Sequence, residues 1–285
     1  MVSSYYTTPL DILKKYWGYE QFLSPQEEII QSVLNGEDLL VLLPTGGGKS
    51  ICFQAAALMQ EGICLVISPL IALMRDQVRN LLQKRIPSDY ISSERSEKEI
   101  NIILDNATYG KTRLLYISPE RLQNRKFLER VKHLKINLMA IDEAHCISQW
   151  GYDFRPSYLK IIYLRKIFPQ TPFLALTASA TPKTVNDIME KLAFKTKKII
   201  RKSFLRENIS YKVLHSDNKW SDLKLYLLKY QGTTIIYVRS RKKTKEISEH
   251  LNMNGFQSDY YHAGLTSEEK KKRKRTGYKN TPLSS

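Results

Sequence analysis

Residues 38–58 read DLLVLLPTGGGKSICFQAAAL, an apolar run that turns through three glycines into a helix-forming stretch. Gly46, Gly47 and Gly48 let backbone N–H groups point inward around phosphate, in conformations that a Cβ obstructs. Lys49 supplies a point charge for the outer phosphates, and Ser50 offers a hydroxyl to Mg2+. The helix that follows presents its N-terminus to the same anion. The spacing departs from strict GxxxxGK[ST], because Leu43 stands at its first position. A strand before it and a helix after it supply the context that such a loop requires.

The same alternation continues outward. ICLVIS (63–68), RLLYIS (113–118), INLMAI (136–141) and FLALTA (173–178) read as buried strands. Between them lie helical segments such as PLIALMRDQVRNLLQK (69–84), apolar at three- and four-residue steps. Strands alternating with helices imply right-handed crossovers and an α/β fold with a parallel sheet covered on both faces. Ligands then sit at the C-terminal ends of the strands. After Phe194, KTKKIIRKSF reads as a linker. A second alternation begins with NISYKV (208–213), TTIIYV (233–238) and FQSDYYH (256–262), and stops at the basic run from Lys270. The expected partition is 1–202, a partial second domain over 203–273, and a basic, polar and disordered tail over 274–285. The abrupt loss of pattern at KKKRKR suggests a tail read out of frame from about Lys274, and the unfinished sheet predicts a tendency to aggregate.

One of these strands ends in IDEAHCISQWGYDFRP (141–156), with carboxylates at one end and aromatics at the other. Asp142, at the tip of a strand, suits a metal ion, and Glu143 suits orienting or deprotonating a water. Trp150-Gly151-Tyr152-Asp153 breaks both helical and strand periodicity and reads as a loop, in which Trp150 and Phe154 suit stacking on unpaired bases and Arg155 supplies charge. Composition agrees: 45 Lys and Arg against 28 Asp and Glu give a formal charge of +17, which favours a polyanionic partner. With 42% hydrophobic residues, wholesale disorder is excluded. Three cysteines, none in a CxxC pair, indicate neither a disulfide framework nor a zinc site, and no apolar run reaches membrane-spanning length. A cytoplasmic protein without a membrane partner is expected.

With these motifs in place, the chain resembles the RecQ family of superfamily 2 DNA helicases from about Tyr16 to Leu265. WGYEQFLSPQEEII (17–30) is similar to the family's adenine-recognition motif, in which Gln26 would read the base edge and Tyr19 would stack on it. Leu23 stands where the family usually has arginine. LLPTGGGKS resembles the phosphate loop, with Thr45 to Ser50 around the nucleotide. ISPLIALMRDQV (67–78) and YISPERL (116–122) resemble segments that contact the DNA backbone, and CISQWGYDFRPSY (146–158) resembles the aromatic-rich loop. By this resemblance His145 and Gln149 help couple DNA binding to hydrolysis and complete a catalytic set with Glu143 and Lys49. LALTASAT (174–181) is similar to a coupling motif, with Ser179 in place of threonine; Leu205 replaces an aspartate at the entry to the second lobe. Ser240 and Arg241 fall in a motif that approaches DNA from that lobe.

The resemblance therefore implies a RecA-like P-loop NTPase lobe with an incomplete second RecA-like lobe. It implies ATP and Mg2+ as cofactors, single-stranded and forked DNA as partners, 3′-to-5′ unwinding in repair and recombination, and a monomer. The family's arginine finger is not found in this sequence. A catalytically weak fragment that binds ATP and DNA, and an RNA helicase with the same core, remain the alternatives.

Overall fold

The computed structural model describes residues 8–273 apart from Gly151, Tyr152, Phe204, Arg206, Glu207, Gln231, Ser267 and Lys271. Its chain divides into two compact units, one ending at residue 207 and one beginning at residue 208. The tail expected over 274–285 lies outside the described residues.

The first unit is built on seven strands: β1 (Leu39–Leu42), β2 (Ile63–Ile67), β3 (Ser88–Ile91), β4 (Leu114–Ile117), β5 (Ile136–Ile141), β6 (Phe173–Thr177) and β7 (Lys198–Arg201). Its helices are α1 (Pro9–Trp17), α2 (Gln26–Leu34), α3 (Lys49–Met59), α4 (Ile71–Gln83), α5 (Glu97–Thr108), α6 (Arg125–Val131), α7 (Ile162–Ile167) and α8 (Pro182–Lys191). All strand pairings are parallel, in the order β3-β4-β2-β5-β6-β1-β7. Every C-terminal strand end therefore opens on one edge of the sheet, as the alternation in the sequence requires.

Successive residues of a strand face opposite sides, and both sides are covered. Leu40 and Leu42 of β1 join Leu65, Met139 and Phe173 in one core, while Leu39 and Val41 join Ile29, Phe53 and Leu174 in the other. The small Ala55–Ala56–Ala57 run of α3 is fully buried in that second core. The carbonyls at the C-terminal end of α3 are satisfied by Arg113, 3.0 Å from the Ala57 oxygen, and by Asn137, 3.1 Å from it and 3.2 Å from the Gln60 oxygen.

At the opposite edge from the strand C-termini, Asp38 ties three segments together. Its carboxylate accepts from Arg165 Nη2 at 2.7 Å, from the Phe173 N–H at 2.9 Å and from the Lys195 N–H at 2.7 Å. Arg165 also lies over the Phe173 ring, 3.7 Å from its centroid. The pair is almost wholly buried, and its backbone partners satisfy the remaining lone pairs.

Two expectations are corrected. The stretch after Phe194 is not a plain linker: Lys198–Arg201 is β7, paired with β1 in register Leu40↔Ile199. β7 forms an edge of the sheet and buries only Ile200, which is why a basic sequence can supply it. In the second unit, 208–213, 233–238 and 256–262 form no strand among the described residues. Its helices are α9 (Lys219–Lys229) and α10 (Arg241–Met253), with further helical residues at 268–270 and 272–273. Parallel strands require neighbours on a covered sheet, and these segments lack them: Val213 is 91% exposed, Tyr237 89% and Ile235 73%.

Candidate functional site

The phosphate loop leaves β1 at Leu43 and returns as α3. Gly48 is the residue preceding α3 and adopts φ +73°, ψ +28°, a left-handed conformation that glycine reaches without penalty. A Cβ there would overlap Gln26 Nε2. At Gly47 a Cβ would stand 2.9 Å from the Pro44 oxygen, whose carbonyl already accepts from the Gly47 N–H at 2.9 Å. The loop is thus a cradle that only glycines close. Thr45 and Gly46 complete it, with Gly46 also at positive φ, and Ser50 sits in the first turn of α3.

Gln26, at the start of α2, is 2% exposed and wired to this loop. Its Nε2 donates to the Gly48 carbonyl at 3.2 Å, and its Oε1 accepts from the Leu23 N–H at 2.9 Å. Each amide group keeps one further donor or acceptor site, the pair a purine edge needs. Leu23, whose N–H bonds to Gln26, and Tyr19 are both more than half exposed.

Lys49 Nζ donates to the Leu43 carbonyl at 3.2 Å. Its charge also reaches the two carboxylates that follow β5, lowering the pKa of both. Asp142 is nonetheless pushed up to about 6, chiefly by burial and next by the neighbouring Glu143 charge. Its carboxylate accepts from the Glu143 N–H at 3.0 Å, and its carbonyl accepts from the Tyr158 hydroxyl at 2.9 Å. Glu143 adopts φ +49°, a conformation uncommon outside glycine. That turn sends its side chain to His145, whose Nδ1 is 3.2 Å from Glu143 Oε2. The His145 contact holds the Glu143 carboxyl below its ordinary value.

His145 is in turn pushed up to about 10, first by the Cys146 sulfur 3.8 Å from Nε2 and then by Glu143. A raised histidine stabilises the fold fully below its unfolded value of 6.5, and that contribution is lost as pH climbs through about 10. At neutral pH the ring is a cation facing a carboxylate.

Sequence reading did not single out Thr177, the last residue of β6, yet it connects these parts. β6 lies between β1 and β5, so Thr177 stands between the phosphate loop and the acidic pair. Its carbonyl accepts from the Leu43 N–H at 3.2 Å. Its hydroxyl lies 2.9 Å from His145 Nδ1 and donates to the Ser179 carbonyl at 3.2 Å, while the Ser179 N–H lies 3.3 Å from the same oxygen. A threonine hydroxyl has one proton, and that proton goes to Ser179, so Thr177 Oγ1 accepts from His145. Ser179 therefore engages the site through its backbone.

The chain continues through Cys146, which is buried, to Gln149 and Trp150, which are exposed. Gly151 and Tyr152 lie outside the described residues. Phe154 is half-buried. Arg155 is committed within the protein: Nη2 and Nε hold Asp153 at 3.0 and 3.2 Å, and Nη1 donates to the Pro69 carbonyl at 3.2 Å. It thereby ties the aromatic loop to the segment that follows β2. Ser240 and Arg241 belong to the second unit, where Ser240 caps α10 by accepting from the Lys243 N–H at 3.2 Å and the Arg241 guanidinium packs on Gly264.

No cluster of three or more His, Cys, Asp or Glu fit for a metal is present among the described residues. Mg2+ keeps most of its waters and takes one or two protein oxygens beside phosphate. Ser50, in the first turn of α3, and Asp142, which follows β5, carry oxygens of the kind Mg2+ takes, and the glycine cradle before Ser50 fits a polyphosphate. Among the described residues no helix is long and apolar enough to cross a membrane.

Comparison with known proteins gives the family. Residues 24–188 match the DEAD/DEAH box helicase family. The chain is 42% identical over 264 residues to the ATP-dependent DNA helicase RecQ of Pasteurella multocida, covering 92% of this chain and 42% of that protein. It is 41% identical over 263 residues to the RecQ helicase of Bacillus subtilis, covering 91% and 44%. A putative ATP-dependent RNA helicase of Acanthamoeba polyphaga mimivirus is 39% identical over 265 residues, covering 92% and 48%. The chain thus spans less than half the length of these curated relatives. Its fold is similar to that of the DUF1998 helicase MrfA bound to DNA and AMPPNP, with TM-score 0.71 and 17% identity over 96% of this chain and 42% of that one. On the match across residues 24–188 and the cradle and acidic pair within it, the chain belongs to the DEAD/DEAH box helicase family.

Proposed function

We propose that the chain carries the ATP-driven motor of a DNA helicase of the RecQ kind. One observation carries the reading: Glu143, joined through His145 and Thr177 to the phosphate loop, begins the segment that ends at the exposed Trp150 indole. Adenine rests against Tyr19 and is read by Gln26. The N–H groups of Thr45 to Ser50 and the Lys49 amine bind the phosphates. Ser50 and Asp142 hold Mg2+, which when bound neutralises charge on the outer phosphate oxygens. Glu143, ionised at neutral pH, accepts a proton from the attacking water, and His145 fixes its orientation. Trp150 and Phe154 stack on unpaired bases without regard to sequence, and the +17 net charge draws the DNA backbone. Gln149 lies between the two ends and passes occupancy from one to the other. Ser240 and Arg241 approach DNA from a second motor lobe, to which residues 203–273 contribute.

The relatives' names support ATP and DNA as ligands, and family resemblance extends this to forked substrates, 3′-to-5′ movement, repair and recombination, a monomeric state and a cytoplasmic setting. The mimivirus relative favours a second reading, in which the same core works on RNA. Phosphate release measured with MgATP and either oligo-deoxythymidine or oligo-uridine decides between them. We expect strong stimulation by the DNA strand, abolished in Lys49→Ala and Glu143→Gln. Equal or greater stimulation by RNA supports the second reading, and background release with both identifies a binding module that does not turn over.

A further inference from the structure

One face of α8 carries Lys183, Asp187 and Lys191 at four-residue spacing, so the three side chains lie above one another. This face meets the aromatic loop. Lys183 Nζ stands 3.1 Å from the centroid of the Trp150 ring. Lys191 Nζ lies 6.0 Å from the Phe154 centroid. The two rings assigned to base stacking are each covered by a lysine of the same helix.

The two lysines are held differently. Lys191 pairs with Asp187 at 3.0 Å and donates to the Ile147 carbonyl at 3.2 Å, so it is anchored apart from the ring. Lys183 is exposed and, among the described residues, forms no ion pair with a carboxylate. It also occupies the first turn of α8, where a cation opposes the helix dipole. Helix stability gives no reason for a lysine at this position, and the indole face does.

We propose that Lys183 is a specificity-determining cover on Trp150, its ammonium occupying the ring face on which an unpaired base stacks. This rests on the reading of Trp150 as a stacking platform. A stacked base is worth more than a solvent-exposed cation–π contact, so a single strand displaces the amine. A duplex, whose bases are already stacked on each other, offers no ring to replace it. The cover therefore lowers affinity for single strands modestly and withholds the platform from ligands that bring phosphate alone.

The test is fluorescence anisotropy with a labelled oligo-deoxythymidine across several salt concentrations, for the parent chain, Lys183→Ala, Trp150→Ala and the double variant. Lys183 is exposed, so the alanine substitution leaves the fold intact. We expect Lys183→Ala to tighten binding about two- to fivefold with Trp150 present and to tighten nothing in the Trp150→Ala background. Lys183→Arg, which keeps a cation on the ring, should stay near parent affinity. Weaker binding in both backgrounds, with the salt slope reduced by about one, would make Lys183 a phosphate contact and overturn the inference. No effect in either background overturns it equally. If Trp150→Ala alone binds as tightly as the parent, the stacking reading itself has failed, and the two failures are told apart.

Discussion

Replacing Gly48 with alanine tests the cradle and the adenine reader in one perturbation. Two costs follow from the structure. The residue sits at φ +73°, where an L side chain loses about 1–2 kcal/mol. The new Cβ would occupy the position of Gln26 Nε2, so the buried amide must withdraw and give up its bond to the Gly48 carbonyl. Leaving such groups unpaired costs about 1–3 kcal/mol. The sum, about 2–5 kcal/mol, lowers Tm by roughly 4–20 °C for a unit of this size. Gln26→Ala alone forfeits only the second cost, and it also makes room for the Cβ. The two substitutions therefore share one bond, and the double variant should be less destabilised than the singles summed, by about 1–3 kcal/mol. Thermal denaturation followed by circular dichroism measures all four proteins, and titration with a fluorescent ATP analogue should show nucleotide affinity falling in each variant. A Gly48→Ala protein melting within a degree of the parent, or strict additivity, would refute the reasoning.

Other substitutions separate the two edges of the sheet. Asp142 is pushed up to about 6, so its ionised form is disfavoured in the fold, and stability on its account falls as pH rises from its ordinary 3.8 through that value. Asp142→Asn keeps the acceptor for the Glu143 N–H and should raise the apo-protein Tm at pH 7 while abolishing Mg2+-dependent nucleotide binding. For the parent, affinity for Mg2+ with nucleotide should fall about tenfold per pH unit below about 6 and level off above it, by isothermal titration calorimetry. Asp38→Ala leaves Arg165 buried without its carboxylate and should cost about 3–5 kcal/mol in urea denaturation. Asp38 lies at the edge remote from the phosphate loop, so folded Asp38→Ala should bind nucleotide as the parent does.

The sequence made the interior of the sheet readable and left its margins obscure. Five of the seven strands appear as continuous apolar runs because they are buried on both faces. The other two, SDYI and KIIR, are the edges of the sheet. Serine, aspartate, lysine and arginine are tolerated there, and the apolar signal fades. TTIIYV shows the opposite failure: β-branched residues suit a strand, but without neighbours to pair with they form none among the described residues.

The site divides along the same line. The phosphate loop and the acidic pair are contiguous motifs, so their residues could be named from spacing alone. The Thr177–His145 bond, the Arg155–Pro69 bond and the Lys183–Trp150 contact join separate elements, and only the strand order brings them together. LALTASAT resembles a coupling motif, but which hydroxyl faces His145 depends on the register at the end of β6.

The central claim is that nucleotide and single-stranded DNA communicate through Glu143, His145 and Thr177. Its most direct test is the Kd of oligo-deoxythymidine with and without a non-hydrolysable ATP analogue and Mg2+, in the parent and in Thr177→Val. A coupling of about 5–150-fold is expected in the parent, and Thr177→Val should abolish it while retaining each separate affinity within about threefold. A DNA affinity indifferent to bound nucleotide in the parent, or a coupling undiminished in Thr177→Val, would contradict the account.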